Sequence, residues 1–172
     1  MKKCWIIIAA LLLSGCGAQE TWETVADVYV QPVSADMQQL LVDVPQDAHA
    51  EAMQNDTGGK LYLCDGFTVS VQTLESGDLE KTLRTVTGYS REALTLIQTQ
   101  QEDMKRYECV WTAAGEGETQ VGRTCVLDDG NYHYAVTVMA GESQSGALAQ
   151  TWQTIFDSVR LVGADVDLNT GS

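Results

Sequence analysis

Cationic residues and histidines are scarce in this 172-residue chain. Ten lysines and arginines stand against 24 aspartates and glutamates, which gives a net charge of −14, and there are two histidines. Nucleic acids and anionic lipid headgroups are bound chiefly through lysine and arginine, so this charge argues against both as partners. Cationic ligands and divalent ions stay open.

Motifs of catalysis and cofactor binding are also missing. The sequence contains no G-x-S-x-G elbow and no S-x-x-K pair, so serine-hydrolase chemistry has no signature here. It contains no C-x-x-C and no cysteine–histidine spacing typical of zinc. The glycines of residues 115–122 (GEGETQVG) do not lead from a strand into a helix, which excludes a nucleotide-binding loop. We therefore expect a non-catalytic protein without a cofactor.

The apolar run near the start is too short to span a bilayer. It extends from Trp5 to Leu13 and as a helix would cover about 14 Å, roughly half of a hydrocarbon core. Two lysines precede it, and a cysteine, Cys16, follows closely. A basic start and a short apolar stretch are typical of an export signal.

The segment Leu13-Ser14-Gly15-Cys16 closely resembles the lipobox of bacterial lipoproteins. The resemblance implies that the Cys16 thiol takes a diacylglycerol and that residues 1–15 are then removed. It also implies a lipid-anchored position on the extracytoplasmic face of a bacterial cell membrane, which a protein with several acyl chains holds stably. Gly17 is not the aspartate that favours the inner membrane, so an outer membrane or a Gram-positive surface stays open. The alternative is an uncleaved N-terminus with a chance cysteine.

The rest of the chain has the length of one ordinary domain. No internal repeat and no low-complexity linker divides it. We predict a tether over residues 16–36, a single folded domain over 37–162 and a loose tail over 163–172.

Alternating hydrophobicity predicts that the domain is rich in strands. We expect strands over residues 25–30, 38–45, 60–63, 67–74, 93–100, 105–112, 120–127 and 132–139, with a polar loop over 47–59. The last three strands form a meander, whose second turn contains Asp129 and Gly130. Both residues suit a tight hairpin turn.

Two segments follow the helical period instead. Leu79, Leu83 and Val86 recur at i, i+4 and i+7, with Ser76 or Asp78 as the cap at the start and Gly88 at the end. Residues 145–162 form a C-terminal helix with one apolar stripe, made of Leu148, Trp152, Ile155, Phe156 and Val159. The prediction is an α+β fold, a mostly antiparallel β-sheet with a central and a C-terminal amphipathic helix packed on it.

The order of these elements resembles the PsbP/Mog1-like group. The segments that carry the resemblance are GDLEKTLRTVTGY (77–89), GNYHYAVTVMA (130–140) and WQTIFDSVRLV (152–162). The resemblance implies a sandwich around an antiparallel sheet, and binding or assembly roles in place of catalysis. It brings no catalytic residues, and the photosynthetic and nuclear-transport roles of the eponymous members are not transferred on fold alone.

Three cysteines, Cys64, Cys109 and Cys125, follow the lipobox. Cys109 and Cys125 lie on strands expected to be neighbours, so they can form a disulfide outside the cytoplasm if the register places them on one face of the sheet. Buried free thiols are the alternative.

The two histidines and the second turn of the β-meander provide the candidates for chemistry. His133 lies near the Asp128-Asp129 turn and is a candidate general base of an envelope hydrolase; His49 is the other. Asp128, Asp129 and Asn131 are hard oxygen donors and so weak candidates for calcium, although they lack the ligand spacing of an EF-hand. A hairpin turn built from its preferred residues explains them without a ligand.

Aromatic residues and loops complete the candidates. Trp22, Trp111 and Trp152 could stack on a sugar, but core packing is the better explanation for the last two. A binding surface is expected on the loops, such as residues 47–59 or 113–119. The expected function is that of a lipid-anchored accessory that binds or assembles envelope proteins. The alternatives are an envelope hydrolase and a lipoprotein that binds a small ligand or calcium.

Overall fold

The computed structural model describes residues 20–26, 37–53 and 59–163. Cys16, the rest of the lipobox and nearly all of the predicted tail lie outside these residues. The strands are β1 (Trp22–Ala26), β2 (Gln39–Pro45), β3 (His49–Ala52), β4 (Lys60–Cys64), β5 (Phe67–Glu75), β6 (Ile97–Gln101), β7 (Met104–Ala114), β8 (Thr119–Asp128), β9 (Tyr132–Gly141) and β10 (Arg160–Val162). The helices are α1 (Leu79–Thr87), α2 (Glu142–Ser145) and α3 (Ala149–Ser158), and a 3₁₀ turn spans Arg91–Ala93.

Seven strands form one antiparallel sheet in the order β3-β4-β5-β9-β8-β7-β6. The chain leaves β5 through α1, builds β6, β7 and β8, and returns with β9 beside β5. This confirms the predicted mostly antiparallel α+β architecture, and the meander β7-β8-β9 is its centre.

A smaller antiparallel sheet, in the order β1-β2-β10, packs over the large one. Its first strand lies in the stretch assigned to the tether: Trp22 pairs with Pro45 and Ala26 with Leu41. The predicted strand over 25–30 therefore begins earlier, and residues 27–36 lie outside the described part. The central strand β2 buries Leu40, Val42 and Val44 in the core beneath it and carries the half-buried Asp43 on its other face.

The larger core fills the space between the two sheets, together with α3. Val69 and Val71 of β5 and Val136 and Val138 of β9 are all fully buried on this face, as the alternation predicts. Burying each such side chain stabilises the fold by roughly 1.5–3 kcal/mol.

The opposite face of the large sheet is covered at one end by α1. Asp78 caps this helix by accepting from the backbone N–H of Glu80 at 2.9 Å, and Gly88 ends it with a φ of 81°, as predicted. Leu83 is buried in a second core with Tyr107 and its neighbours. Helices α1 and α3 thus lie on opposite faces of the large sheet.

The C-terminal segment is less continuous than the single helix predicted for residues 145–162. It contains α2, α3 and then β10, since Val159 turns to an extended conformation and Arg160–Val162 pairs with β2. The apolar stripe is nonetheless confirmed, because Trp152, Ile155 and Phe156 are buried. Among the described helices, none has both the length and the hydrophobicity to cross a membrane.

Two other expectations are corrected. The polar loop over 47–59 contains the short strand β3, whose residues are all exposed. A polar segment can form this strand because backbone pairing with β4 does not require an apolar side chain. The strand over 93–100 is preceded by a 3₁₀ turn, so β6 starts only at Ile97 and runs to Gln101.

Candidate functional site

The turn between β8 and β9 is held by its own carboxylates. Asp128 Oδ1 accepts from the backbone N–H of Gly130 at 2.9 Å, and Asp129 Oδ1 accepts from that of Asn131 at 2.8 Å. Aspartate favours turns because its side chain can bond the backbone two residues ahead. The last pair of the two strands is Asp128–His133, so the turn is wider than the tight turn expected at Asp129 and Gly130. Of these two residues, only Gly130 has a positive φ, of 90°.

The other oxygen of Asp129 ties this turn to the smaller sheet. Oδ2 accepts from the Tyr134 hydroxyl at 2.9 Å and from Gln38 Nε2 at 3.3 Å. The Tyr134 hydroxyl in turn accepts from the Gln38 backbone N–H at 3.0 Å. Burial, with a further contribution from Asp129, raises the pKa of Tyr134 well above its usual range. Both Asp129 oxygens are thus engaged in bonds that hold the turn.

His133 lies behind the turn and is 2% exposed. Its Nδ1 is 2.7 Å from the Thr82 hydroxyl on α1, and its Nε2 is 3.7 Å from Asp128 Oδ2. Burial lowers the pKa of His133, although the carboxylates of Asp128, Asp129 and Asp78 oppose this by attracting a proton. The neutral imidazole therefore links helix α1 to the sheet.

A cleft of about 380 Å³ opens in front of His133. It lies between the start of α1 and the ends of β7 and β8, and its charged and titratable lining residues are Asp78, Asp103, Lys105, Asp128 and His133. Three carboxylates and one ammonium make it polar and acidic. Among the described residues, no three acidic, histidine or cysteine side chains are placed to hold a metal ion.

Thr82, His133 and Asp128 share the residue types of a hydroxyl–imidazole–carboxylate triad, but in an unsuitable orientation. The Thr82 hydroxyl is 3% exposed and does not line the cleft, whereas Asp128 does. A nucleophile must reach the substrate, with its base behind it. Here the hydroxyl points into the interior, so the arrangement fits an anchor for α1 better than a hydrolytic site.

Acid should weaken this anchor. Because the pKa of His133 in the folded protein lies below the 6.5 of an ordinary imidazole, the unfolded chain binds the proton more tightly. The contribution to the free energy of unfolding is complete above about pH 6.5 and falls as the pH drops through the folded-state pKa. Urea unfolding between pH 7.5 and 5 measures it. The His133→Gln variant, checked for folding by circular dichroism, should lose this slope, and an unchanged slope in that variant would contradict the assignment to His133.

Comparison with solved structures shows which fold this is. Cyanobacterial PsbP from Synechocystis superimposes with a TM-score of 0.57 at 11% identity, covering 87% of this chain and 99% of that one. The chain has the PsbP/Mog1-like fold. LpqN of Mycobacterium tuberculosis gives a TM-score of 0.50 at 9% identity over 82% and 91% of the two chains. Mog1p of Saccharomyces cerevisiae gives 0.49 at 13% identity over 84% and 97%. No family model and no curated protein matches the sequence.

The second histidine of the chain lies far from the first in the sheet order. His49 is exposed on the edge strand β3, opposite Leu63 of β4. β4 and β5 separate β3 from β9, where His133 lies. The structure therefore does not bring the two candidate bases together.

The possible disulfide between Cys109 and Cys125 is not formed, and both residues are the buried free thiols that the sequence also allowed. Cys109 pairs with Thr124, and Cys125 pairs with Glu108, so the two thiols point to opposite faces of the sheet. Burial is the main reason that the pKa of Cys109 rises to about 11 and that of Cys125 to about 12. Cys64 is also free and half-buried, with a pKa of about 11.

These thiols should therefore stay reduced and react slowly. We expect the same electrophoretic mobility with and without reductant, and slow alkylation at pH 8 until the protein is unfolded, because the thiolate is the reactive form. A mobility shift on reduction that disappears in the Cys109→Ala variant would contradict the register of β7 and β8.

The tryptophans differ in environment. Trp152 is buried in the larger core, and Trp22 packs at its margin. Trp111 is only half-buried, which corrects its expected place on a buried face. Its indole lies against Gly122 so closely that any side chain there would overlap it, and its Nε1 donates to the Thr124 hydroxyl at 3.0 Å.

The loop over 113–119 is held against the body of the protein. Gly115 N–H donates to the Glu118 carbonyl at 3.1 Å, and the Glu118 carboxylate accepts from the backbone N–H of Ser143 at the start of α2. The loop over 47–59 contains β3, and its residues 54–58 lie outside the described part. A binding surface on these two loops stays a prediction.

An ion network on β7 and β8 was not foreseen from the sequence. Glu108 accepts from Arg106 Nε and from Arg123 Nη2, both at 2.7 Å. Burial favours the neutral acid, but the hydrogen bonds and charges of the two arginines outweigh it and lower the pKa of Glu108. Arg123 also lies over the Phe156 ring, 4.5 Å from its centre. The charged residues Arg106 and Glu108, which alternate along β7, were the sequence signal that could have predicted this network.

Proposed function

We propose that this protein is a lipid-anchored, non-catalytic accessory of the bacterial cell envelope, which binds or helps assemble proteins at the extracytoplasmic face of a membrane. The observation that carries the proposal is the lipobox, with Cys16 shortly before β1. Lipid on Cys16 would confine the domain to a surface and raise its effective concentration toward membrane partners.

The start of β1 at Trp22 makes the proposed anchor short. The few residues between Cys16 and Trp22 span at most about 20 Å when fully extended. The domain would then stay next to the membrane. The chain's net charge of −14, which becomes −16 when Lys2 and Lys3 are removed with residues 1–15, keeps it from adhering to anionic headgroups. The short connection to the lipid and the repulsion of the domain by anionic headgroups both favour partner proteins that are themselves in or on the membrane.

The fold and its relatives support the proposal at a coarse level. LpqN, with the same overall fold, is involved in cell envelope biogenesis. The structural role of His133 also favours binding over hydrolysis, because Thr82 and His133 are used to dock α1.

Crosslinking in intact cells tests this function. The full-length protein, its Cys16→Ala variant and a Cys64→Ala control are crosslinked and purified from the bacterium that encodes them. We expect an envelope protein to be recovered with wild type and Cys64→Ala and lost with Cys16→Ala. Equal recovery with Cys16→Ala, or none with any form, would contradict the proposal.

The cleft in front of His133 supports a second candidate, a lipoprotein that binds a small cationic ligand. Its volume of about 380 Å³ and its excess of carboxylates carry this alternative. Thermal shift with calcium and with small polyamines tests it, and an Asp103→Asn variant should lose any shift that arises in the cleft.

A further inference from the structure

The strand β6 forms one edge of the large sheet and is unusual in composition. All five of its residues are exposed, and none is charged: Ile97, Gln98, Thr99, Gln100 and Gln101. Soluble proteins usually protect such edges with charged residues, proline or a covering segment. Although the chain has a net charge of −14, β6 carries no charged side chain that would repel a second strand pairing with this edge.

The turn after β6 determines which backbone groups face outward. Gln101 and Met104 pair across the two residues Glu102 and Asp103, and a two-residue hairpin closes on a hydrogen-bonded pair. Hydrogen-bonded and non-hydrogen-bonded pairs alternate along the ladder. Gln98 and Gln100 therefore direct their N–H and C=O groups away from β7, and within the described residues no strand pairs with them.

Two exposed apolar side chains lie beside this edge on one face. Ile97 is 67% exposed and Val110 is 62% exposed. Ile97 is opposite Glu108, and Val110 lies two residues further along β7, so both project from the same face. The layer formed by α3 and the smaller sheet reaches Arg123, which lies over the Phe156 ring, but it leaves both side chains uncovered.

Charge distinguishes the surroundings of this edge from those of the opposite one. Next to Val110, Glu108 is neutralised by Arg106 and Arg123. At the other end of β6, Glu102 and Asp103 are exposed, and among the described residues neither has an ion-pair partner within 4 Å. The opposite edge strand, β3, carries His49 and Glu51 and is thus protected.

We propose that the outer edge of β6, which no strand of the described residues covers, binds an extended segment of a partner polypeptide. The segment adds an eighth strand through the outward groups of Gln98 and Gln100, and it places an apolar side chain against Ile97 and Val110. A lysine or arginine at its end meets the acidic turn at Glu102 and Asp103. Addition of a strand to an exposed edge is a common mode of peptide recognition.

This inference rests on the proposed function for the nature of the partner, a protein of the envelope. A second copy of the chain is disfavoured as the occupant because each copy carries a charge of −14, and like charges at close range oppose association.

A pair of variants at one position separates the backbone from the side chain. Gln100→Pro removes the outward N–H, and because that group is outside the β6–β7 ladder the fold should tolerate it. Gln100→Ala keeps the N–H and removes only the side-chain amide. Circular dichroism and thermal unfolding verify that both variants fold, and Val110→Thr tests the apolar contact at nearly constant shape.

The probe is a displayed library of random decapeptides, selected on the full-length protein in detergent. We expect selected peptides to alternate apolar and polar residues and to end in a basic one. Their affinity should fall about tenfold or more with Gln100→Pro and stay within about twofold with Gln100→Ala. Amide hydrogen exchange at Gln98 and Gln100 should slow when peptide is bound.

Three results would overturn the proposal: no selected peptide, peptides that bind Gln100→Pro as well as wild type, or a protein that dimerises through β6 and becomes monomeric in Gln100→Pro. The same variants in intact cells separate this inference from the proposed function. If the Cys16-dependent partner is still crosslinked to Gln100→Pro, the β6 surface is wrong and the accessory function stands. If no partner depends on Cys16 while peptides still need the Gln100 N–H, the function is wrong and the surface stands.

Discussion

Phe156→Ala is expected to lower the free energy of unfolding by about 3–5 kcal/mol. The side chain is fully buried between α3 and the large sheet. The Arg123 guanidinium also covers the Phe156 ring. The backbone carbonyl of Phe156 accepts from Arg106 Nη2 at 2.8 Å. Truncation removes apolar contacts, leaves a cavity and withdraws the surface on which Arg123 lies.

Urea denaturation followed by circular dichroism measures this loss. The matched control is Thr154→Ala on the exposed side of the same helix, whose hydroxyl bonds only to the Gln150 carbonyl; a change within about 0.5 kcal/mol is expected. A loss below about 1 kcal/mol for Phe156→Ala would mean that α3 does not close the core.

Tyr134→Phe is expected to lower the free energy of unfolding by about 1.5–3 kcal/mol. The side chain is fully buried, and its hydroxyl bridges Asp129 Oδ2 and the Gln38 backbone N–H. Removal leaves the N–H and a carboxylate oxygen with fewer partners in a desolvated place. This bridge connects the β8–β9 turn to the chain that enters β2, so its loss should loosen the contact between the two sheets.

Tyr132→Phe is the matched control, because the ring of Tyr132 lies beside that of Tyr134 at 6.2 Å and is half-buried. We expect a change of less than about 0.5 kcal/mol. Equal losses in the two variants would show that the bridge through Asp129 contributes nothing of its own.

Elements whose signals are local were predictable. The strands β7, β8 and β9 each contain an alternating stretch and are separated by turn residues, and α1 carries both its cap, Asp78, and its terminator, Gly88. These signals depend on neighbours within a few residues, so they are visible in a single sequence.

Elements that depend on distant pairing were not predictable. β1 and β10 exist because both pair with β2, across separations that no local pattern encodes. The opposite orientations of Cys109 and Cys125 likewise follow from the register of β7 against β8, and a shift by one residue reverses every side chain.

The candidate site was predictable only in part. The proximity of His133 to Asp128 follows from the hairpin, but the contact with Thr82 requires α1 to be docked on the sheet. That contact changes the interpretation of the histidine from a candidate base to an anchor of the helix. The exposure of Ile97 and Val110 likewise depends on where the covering layer ends.

Intact mass spectrometry of the protein purified from the membrane and soluble fractions of the cells that encode it tests the central claim most directly. Lipid attachment predicts a chain that begins at Cys16, heavier than the bare polypeptide by a diacylglycerol and present in the membrane fraction. The Cys16→Ala variant should retain residues 1–15 and carry no lipid. A wild-type mass that equals the unmodified full chain, or a chain cut elsewhere without lipid, would contradict the anchored accessory.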